Sequence, residues 1–310
     1  MKILCDIGGT YVRFARFEDG HIKDVQKQPC DDFEGLEDAL DYYQGTIAMA
    51  EKAPVYIASA GEPDEKGVWH VTNNAAWRIC AGNLQERGWT LARILNDFEA
   101  AAWGVLDLGP SDLATIQKGC KTQNPYCLIG PGTGLGLAYL YPNETPFVQK
   151  THGGLMLAAA VTPEQHRAVE KVSVYLKRPA TFQDFVSGRG LVNTYNALGP
   201  HRVDDAAEIL ERKDTEQGKT VLRLFHEFFG IFAHTAVITV HSHGGLYIMG
   251  GVLENLIEQN MFDKDVFLNN FNPAGGEAVA RMIEETPVHL VKEPYLAFRG
   301  LKILIEKQHA

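Results

Sequence analysis

The sequence predicts an α/β protein built as two lobes. Strand-like and helix-like stretches alternate along the chain, the pattern of the α/β class. Its 310 residues exceed the usual size of a single domain. One plan also occurs twice: an apolar strand, a glycine-rich tip carrying Gly-Thr, and a second apolar strand. The copies read LCDIGGTYVRFARF and LIGPGTGLGLAYLY, so that Gly9-Thr10 matches Gly132-Thr133. They lie about 120 residues apart, far more than a solenoid period. The echo implies two lobes on one ancestral pattern, each opening with a glycine-tipped hairpin.

The elements follow in order. Residues 1–28 read as strand, glycine turn, strand, Asp19-Gly20 turn and strand. FEGLEDALDYYQG has helical spacing and ends at a glycine. APVYIASAG is a buried strand, GVWHVTN a further strand and NLQERGW a short helix. TLARILNDFEAAAWGVLDLG starts as a strand and turns helical from about Asp97. PYCLIGPGTGLGLAYLYPN is strand, glycine turn and strand. TPEQHRAVEKVSVYLK is a helix with Thr162 as N-cap and Pro163 in its first position. TFQDFVSGRGLVNTYNALG combines a short helix, a turn and a helix. Residues 214–242 form one long helix, apolar enough to be buried. GGLYIMGGVLENLI reads as strand, double glycine and helix; PVHLVK is a late strand and LAFRGLKILIEKQ a closing helix.

Composition excludes several classes. Apolar residues make up 45% and charged residues 22%, ordinary for a globular protein. The net charge of -10 argues against nucleic acid and anionic membranes as partners, because both require basic surface. Five cysteines are scattered without CxxC spacing, which suggests free thiols in a reducing cytosol. Asp6 interrupts the N-terminal apolar run, so no signal peptide is read there, and no stretch is read as long enough for a membrane span. A cytoplasmic location is the expectation.

The glycine tips carry the strongest signal. A phosphate needs backbone N–H groups to approach it without obstruction from Cβ atoms, and glycine permits that. A single tip reads as well as an ordinary hairpin turn. Two matched tips and a third glycine pair, Gly250-Gly251, favour phosphate binding. GPGTGLG is not GxGxxG and precedes a strand, which argues against a dinucleotide fold. EQGKT lacks the P-loop glycine, having Lys213 in its place, and reads as a polar helix start. Asn96 and Asp97 fall where a strand gives way to a helix. An aspartate there suits a general base, and either residue equally suits a helix cap. His234, His241 and His243 read as structural. HGG occurs at 152–154 and 243–245, but no serine has the flanking glycines of a hydrolase nucleophile elbow.

Taken together, DIGGT, TNNAAW, LNDFEAAAWG, GPGTGLG, SGRGLVNTY, LYIMGGV and PYLAFRGL resemble the bacterial glucokinase family, in that family's order and over almost the whole chain. The family lies within the sugar kinase/Hsp70/actin superfamily, with its two-lobed, ribonuclease H-like fold and central cleft. The cysteine-rich zinc motif of the related repressor-type sugar kinases is missing, and no helix-turn-helix precedes Met1, so a repressor is not expected. The resemblance implies a small α/β domain of 1–105 plus 296–310 and a large one of 106–295. It implies ATP and Mg2+ as cofactors, a small sugar as substrate, no nucleic-acid or membrane partner, and it suggests a homodimer. Asp6 would help position magnesium through water. Gly8, Gly9, Thr10, Gly132, Thr133 and Gly134 would contact phosphates, and Gly250 and Gly251 would border the adenosine. Asp97 would take the proton from the sugar 6-hydroxyl as that oxygen attacks the γ-phosphate. Asn96 would hold a neighbouring hydroxyl, and Asn73 or Asn74 would lie in the sugar loop.

One departure from the family is sharp. Members usually carry Glu-Gly-Gly-His where this chain has His152-Gly153-Gly154-Leu155, and a third sugar-binding Glu reads here as Gln183. Sugar hydroxyls left unpaired in a closed site cost roughly 1–3 kcal/mol each. Three readings therefore stand: an ATP-dependent hexose kinase with glucose as first guess, a kinase of the same fold for another sugar or an anionic sugar derivative, and a non-catalytic sugar-binding relative. The loss of two carboxylates and the gain of His152 favour negative charge in the pocket under the second. Retention of Asp6, Asp97 and both tips weighs against the third.

Overall fold

Residues 1–72, 74, 76–120, 122–272 and 276–308 are described in a computed structural model, and the chain divides into two units, Met1–Gly109 with Glu293–Ala310 and Pro110–Lys292. In the first unit, β1 (Lys2–Ile7), β2 (Tyr11–Glu18) and β3 (His21–Pro29) form an antiparallel meander. β4 (Pro54–Ser59) then joins β1 in parallel. The small strands β5 (Gly61–Pro63), β6 (Trp69–Val71) and β7 (Arg78–Ile79) make a separate three-stranded sheet. β8 (Thr90–Asn96) pairs parallel to β4 and completes the main sheet in the order β3-β2-β1-β4-β8.

Both faces of this sheet are covered. Ile3, Cys5 and Ile7 pack in one cluster with Leu36, Leu40 and Tyr43 of α1 (Leu36–Thr46). A short helix, α2 (Ala81–Glu86), leads into β8, and α3 (Asp97–Gly104) leaves it. α3 packs on the closing helix Leu296–Lys307. That pairing is close because both helices use glycine at the crossing. A Cβ on Gly300 would lie 1.7 Å from the Ala100 carbonyl oxygen, and one on Gly104 would lie 2.2 Å from that of Leu296.

The second unit repeats the plan. β9 (Leu113–Gln117) is an edge strand; β10 (Tyr126–Pro131), β11 (Leu135–Tyr141) and β12 (Phe147–Lys150) form the antiparallel meander. β13 (Gly245–Ile248) and β14 (Val288–Val291) add in parallel, giving the order β12-β11-β10-β13-β14-β9. Both sheets thus share an antiparallel meander followed by two parallel strands, so the sequence echo is an echo of topology. The helices are α4 (Pro163–Leu176), α5 (Gly188–Leu198), α6 (Ala206–Glu211), α7 (Glu216–Thr239), α8 (Gly251–Glu258), α9 (Lys264–Phe271) and α10 (Glu277–Glu285).

Local signals produce several of these boundaries. Thr162 accepts from the Gln165 N–H and Gln165 returns the bond, so α4 opens on a capping box with Pro163 behind it. The GKT triplet lies in the first turns of α7, whose cap is Thr215 accepting from the Gly218 N–H at 3.1 Å. α7 carries Phe225, Phe228, Phe229 and Phe232, all buried. One expectation is corrected here. The sequence showed no stretch long enough for a membrane span, yet α7, at 24 residues and mean hydropathy 1.4, reaches that length and composition. Its apolar residues are there because 67% of its most apolar window is buried in the core of the unit.

Candidate active site

In the first unit the parallel strands β1, β4 and β8 end together. Ile7 pairs with Ser59, and Ser59 with Asn96, so one register brings the residues after each strand to the same sheet end. Carboxyl ends of parallel strands are where α/β sheets bind ligands. Of the two roles that the sequence left open, the structure assigns one, the helix cap, to Asn96. Asn96 is the cap, its Oδ1 accepting from the N–H groups of Phe98 at 3.0 Å and Glu99 at 3.4 Å. Asp97 is the first residue of α3.

The Asp97 carboxyl is pushed up to about 6, first by burial and second by repulsion from Asp6; hydrogen bonds from backbone N–H groups oppose the shift. Asp6 is also raised by burial, against the pull of Arg13. Both side chains keep some contact with solvent, but they lie deep enough among protein atoms for desolvation to dominate. Arg13 stands opposite Asp6 in the β1–β2 register and donates from Nη1 to Oδ2 at 2.9 Å. The sequence reading missed Arg13, although hairpin pairing across a two-glycine tip would have found it.

The Gly8-Gly9-Thr10 tip closes with the Gly8 N–H donating to the Tyr11 carbonyl at 3.0 Å, and Thr10 is exposed. Buried Cys30 lies behind it. Its thiol donates to the Gly8 carbonyl oxygen at 3.7 Å and also hydrogen-bonds the Asn74 side chain. Burial pushes the thiol up to about 11, so it stays a neutral group tying the tip to the Asn74 segment. Asn74 Oδ1 accepts from the Trp77 N–H at 3.3 Å. Asn73 lies outside the described residues.

In the second unit three glycine-led segments converge. The tip closes with the Gly132 N–H donating to the Gly134 carbonyl at 2.8 Å. The Gly188 N–H, at the start of α5, donates to the Gly132 carbonyl at 2.9 Å. Gly250 precedes α8 at φ +122°, where a Cβ would lie 2.6 Å from the Pro131 carbonyl oxygen. Only glycine fits there. By contrast, a Cβ on Gly132 or Gly251 would meet nothing within 4 Å. Packing does not demand these two glycines, and the space beside them is open. Two helix N-termini beside an exposed Thr133 make the surroundings favourable to phosphate. A cavity of about 580 Å³ opens here, lined in part by Thr133, Gln183, Ser187, Gly188 and Asn193.

The HGGL turn sits against the same tip. Gly153 and Gly154 are buried, and a Cβ on Gly154 would lie 2.1 Å from the Leu135 carbonyl oxygen. The outer residues face outwards: His152 is exposed and Leu155 is 55% exposed. Gln183 meets the other side of Leu135, its Oε1 accepting from the Leu135 N–H at 3.2 Å. The buried Asp184 carboxylate grips Arg178 through two bonds of 2.7 Å and fixes the short 3-10 turn that carries Gln183.

A family model described as Glucokinase matches residues 3–308, and the chain belongs to that family. A glucokinase from Marinobacter nauticus is 28% identical over 314 residues, covering 96% of this chain and 95% of that one. Among solved structures, a glucokinase from an Antarctic psychrotroph superimposes with a TM-score of 0.81 at 24% identity, over 99% of this chain and 98% of that one. A ROK family glucokinase from Streptomyces griseus, in complex with glucose and AMPPNP, gives a TM-score of 0.62 at 19% identity, over 98% of each chain. The fold is therefore that of the glucokinase and ROK sugar kinases, and the protein is an ATP-dependent sugar kinase.

Proposed function

We propose that this kinase transfers the γ-phosphate of ATP to the 6-hydroxyl of a hexose, with glucose as the first substrate to test and Asp97 as the base. The observation that carries this reading is the Asp97 carboxyl itself. It stands at a strand end with a proton affinity raised to about 6, so near neutral pH it is ionised yet basic enough to accept a hydroxyl proton. Asn96, fixed by its capping bonds, is suited to hold a neighbouring hydroxyl. The Gly8 and Gly132 N–H groups close their tips, and those of Gly9, Thr10, Thr133 and Gly134, with Gly250-Gly251, are suited to ATP. Phosphoryl transfer relies mainly on positioning and charge neutralisation, which asks little more of the protein than these groups supply.

The donor set also fits a magnesium ion. Asp6 and Asp97 repel each other, and on Asp6 one guanidinium, Arg13, offsets them. Among the described residues no group of three or more His, Cys, Asp or Glu forms a metal cage. One carboxylate with water and phosphate ligands is the usual Mg2+ arrangement. Asp6 would hold the ion through water, and the ion would neutralise charge on the transferring phosphoryl group.

A second reading is favoured by the outer residues of the HGGL turn. His152 and the exposed Leu155 offer no carboxylate to a sugar hydroxyl, and the Gln183 oxygen is already occupied by the Leu135 N–H. Such a set suits a sugar with an anionic or less polar substituent. A coupled ADP-release screen over hexoses, amino sugars and sugar acids decides between the two. Turnover of glucose alone removes the second reading, turnover of a sugar acid with glucose inert removes the first, and ATP binding without turnover of any sugar removes both.

A further inference from the structure

The second unit carries another cavity, of about 360 Å³, at the opposite end of its sheet from the glycine tip. It lies where β13 and β14 begin and β9 ends. Register brings its wall together: Tyr247 on β13 pairs with His289 on β14, and His289 pairs with Thr115 on β9. The Tyr247 and His289 rings are 5.5 Å apart, and Thr115 Oγ1 is 3.0 Å from His289 Nδ1. Lys118, just past the end of β9, completes the polar lining; two glycines and Pro287 form the rest. We propose that this cavity is a second anion site, taking phosphate or the phosphate group of a phosphorylated sugar.

Three features of the lining point to an anion. Among the described residues no carboxylate lines the cavity, in a chain with 39 acidic residues against 29 Lys and Arg. The Lys118 ammonium is exposed and has no ion-pair partner among the described residues. Tyr247 is only 5% exposed, yet its phenol has no hydrogen-bond partner among the described residues. Burial pushes that phenol up to about 12, so it remains a donor. The ring is buried but the hydroxyl opens to the cavity, where water or a ligand can accept from it. An ammonium and a phenol offer donors and no competing negative charge, the chemistry that binds oxyanions, and the Thr115 hydroxyl joins them when His289 Nδ1 carries the proton and donates to it. The volume suits a small phosphorylated molecule.

Isothermal titration with inorganic phosphate, then with a hexose 6-phosphate, tests this on the full chain. Phosphate should bind the wild type, and Lys118→Met should weaken it by about tenfold, as the loss of a charge-assisted contact predicts. Thr115→Val should weaken it by about threefold. Lys118 is exposed, so the melting temperature of Lys118→Met without phosphate should match the wild type; this separates lost binding from lost folding. If the hexose phosphate binds more tightly than phosphate and Lys118→Met erases that gain, the sugar phosphate is the ligand. Equal affinity with the same Lys118 dependence assigns the site to free phosphate. No binding of either, or binding equal in the wild type and Lys118→Met, overturns the proposal, because anions held only at the glycine tips would not respond to Lys118.

Discussion

The two glycine tips of this kinase share a backbone plan but differ in what surrounds them. The tip at 8–10 stands beside two carboxylates, Asp6 and Asp97, both raised by burial, and Asp97 raised further by the Asp6 charge. The tip at 132–134 has no such raised pair among the described residues, although Arg178, Asp184, Arg189, Asp204 and Asp205 line the cavity beside it. It is braced instead by neutral hydrogen bonds, from Gly188 N–H to the Gly132 carbonyl and from Leu135 N–H to Gln183. The duplicated plan thus carries different charge: two raised carboxylates beside the first tip, and beside the second an ion-paired carboxylate, Asp184, held low by Arg178 and Thr181 against burial. Even the braces differ in kind. Cys30 ties the first tip to Asn74 through a thiol, whereas an amide, Gln183, ties the second to its own turn.

Glycine substitutions sharpen the comparison most. Gly154→Ala forces a methyl group onto the Leu135 carbonyl, 2.1 Å away, and should cost about 2–4 kcal/mol, read as a fall in melting temperature. Gly132→Ala should leave the melting temperature within a degree or two of wild type, because its Cβ points into open space. Its effect should appear in the KM for ATP. Equal destabilisation by both substitutions would remove the argument that Gly132 serves a ligand. Next in size is Gln183→Ala, which leaves the Leu135 N–H without its acceptor. It should raise the KM for ATP by about 5–10-fold, the equivalent of one hydrogen bond. Gln183→Glu keeps the acceptor and should retain ATP affinity. A fall in sugar affinity alone, with ATP unaffected, would show that Gln183 acts on the sugar and not on the tip.

Restoring the family's turn is a test of substrate rather than stability. His152→Glu with Leu155→His changes two outward-facing residues, so folding should be unaffected while the KM for glucose falls several-fold. Unchanged glucose kinetics would show that the turn does not set specificity. A separate effect concerns stability and pH. Asp97 has a folded value near 6, above its unfolded value of about 3.9, so its ionisation penalises the folded state above pH 6. As pH falls from about 6 to 4, the folded state takes the proton first and the penalty fades. Asp97→Asn should therefore stabilise the protein by about 1–3 kcal/mol at pH 7 and by little at pH 4, in chemical denaturation. An equal effect at both pH values would contradict the raised affinity.

Much of this was legible from local sequence. The tips, the Asn96-Asp97 junction, Thr162 as cap and the long helix α7 each follow from residues adjacent in the chain. What could not be read depends on distant pairing. Gln183 accepts from Leu135, 48 residues away, and Cys30 meets Gly8 across the first sheet's edge. The Asp97 shift depends on Asp6, brought near by strand register. Short elements escaped as well. The edge strand β9 and the hairpin partner β12 are too brief to show a period, and α9 and α10 stand without the strand–glycine punctuation that marks the other helices.

The difference between the tips rests on Asp97, and Asp97→Ala measures it most directly, with turnover and ATP binding followed on the same preparation. Turnover of the best sugar should fall by about 10²–10⁴-fold while ATP affinity changes less than about twofold, and wild-type kcat/KM should rise with pH through about 6. Near-normal turnover in Asp97→Ala would contradict the account, as would a loss of ATP binding equal to the loss of rate.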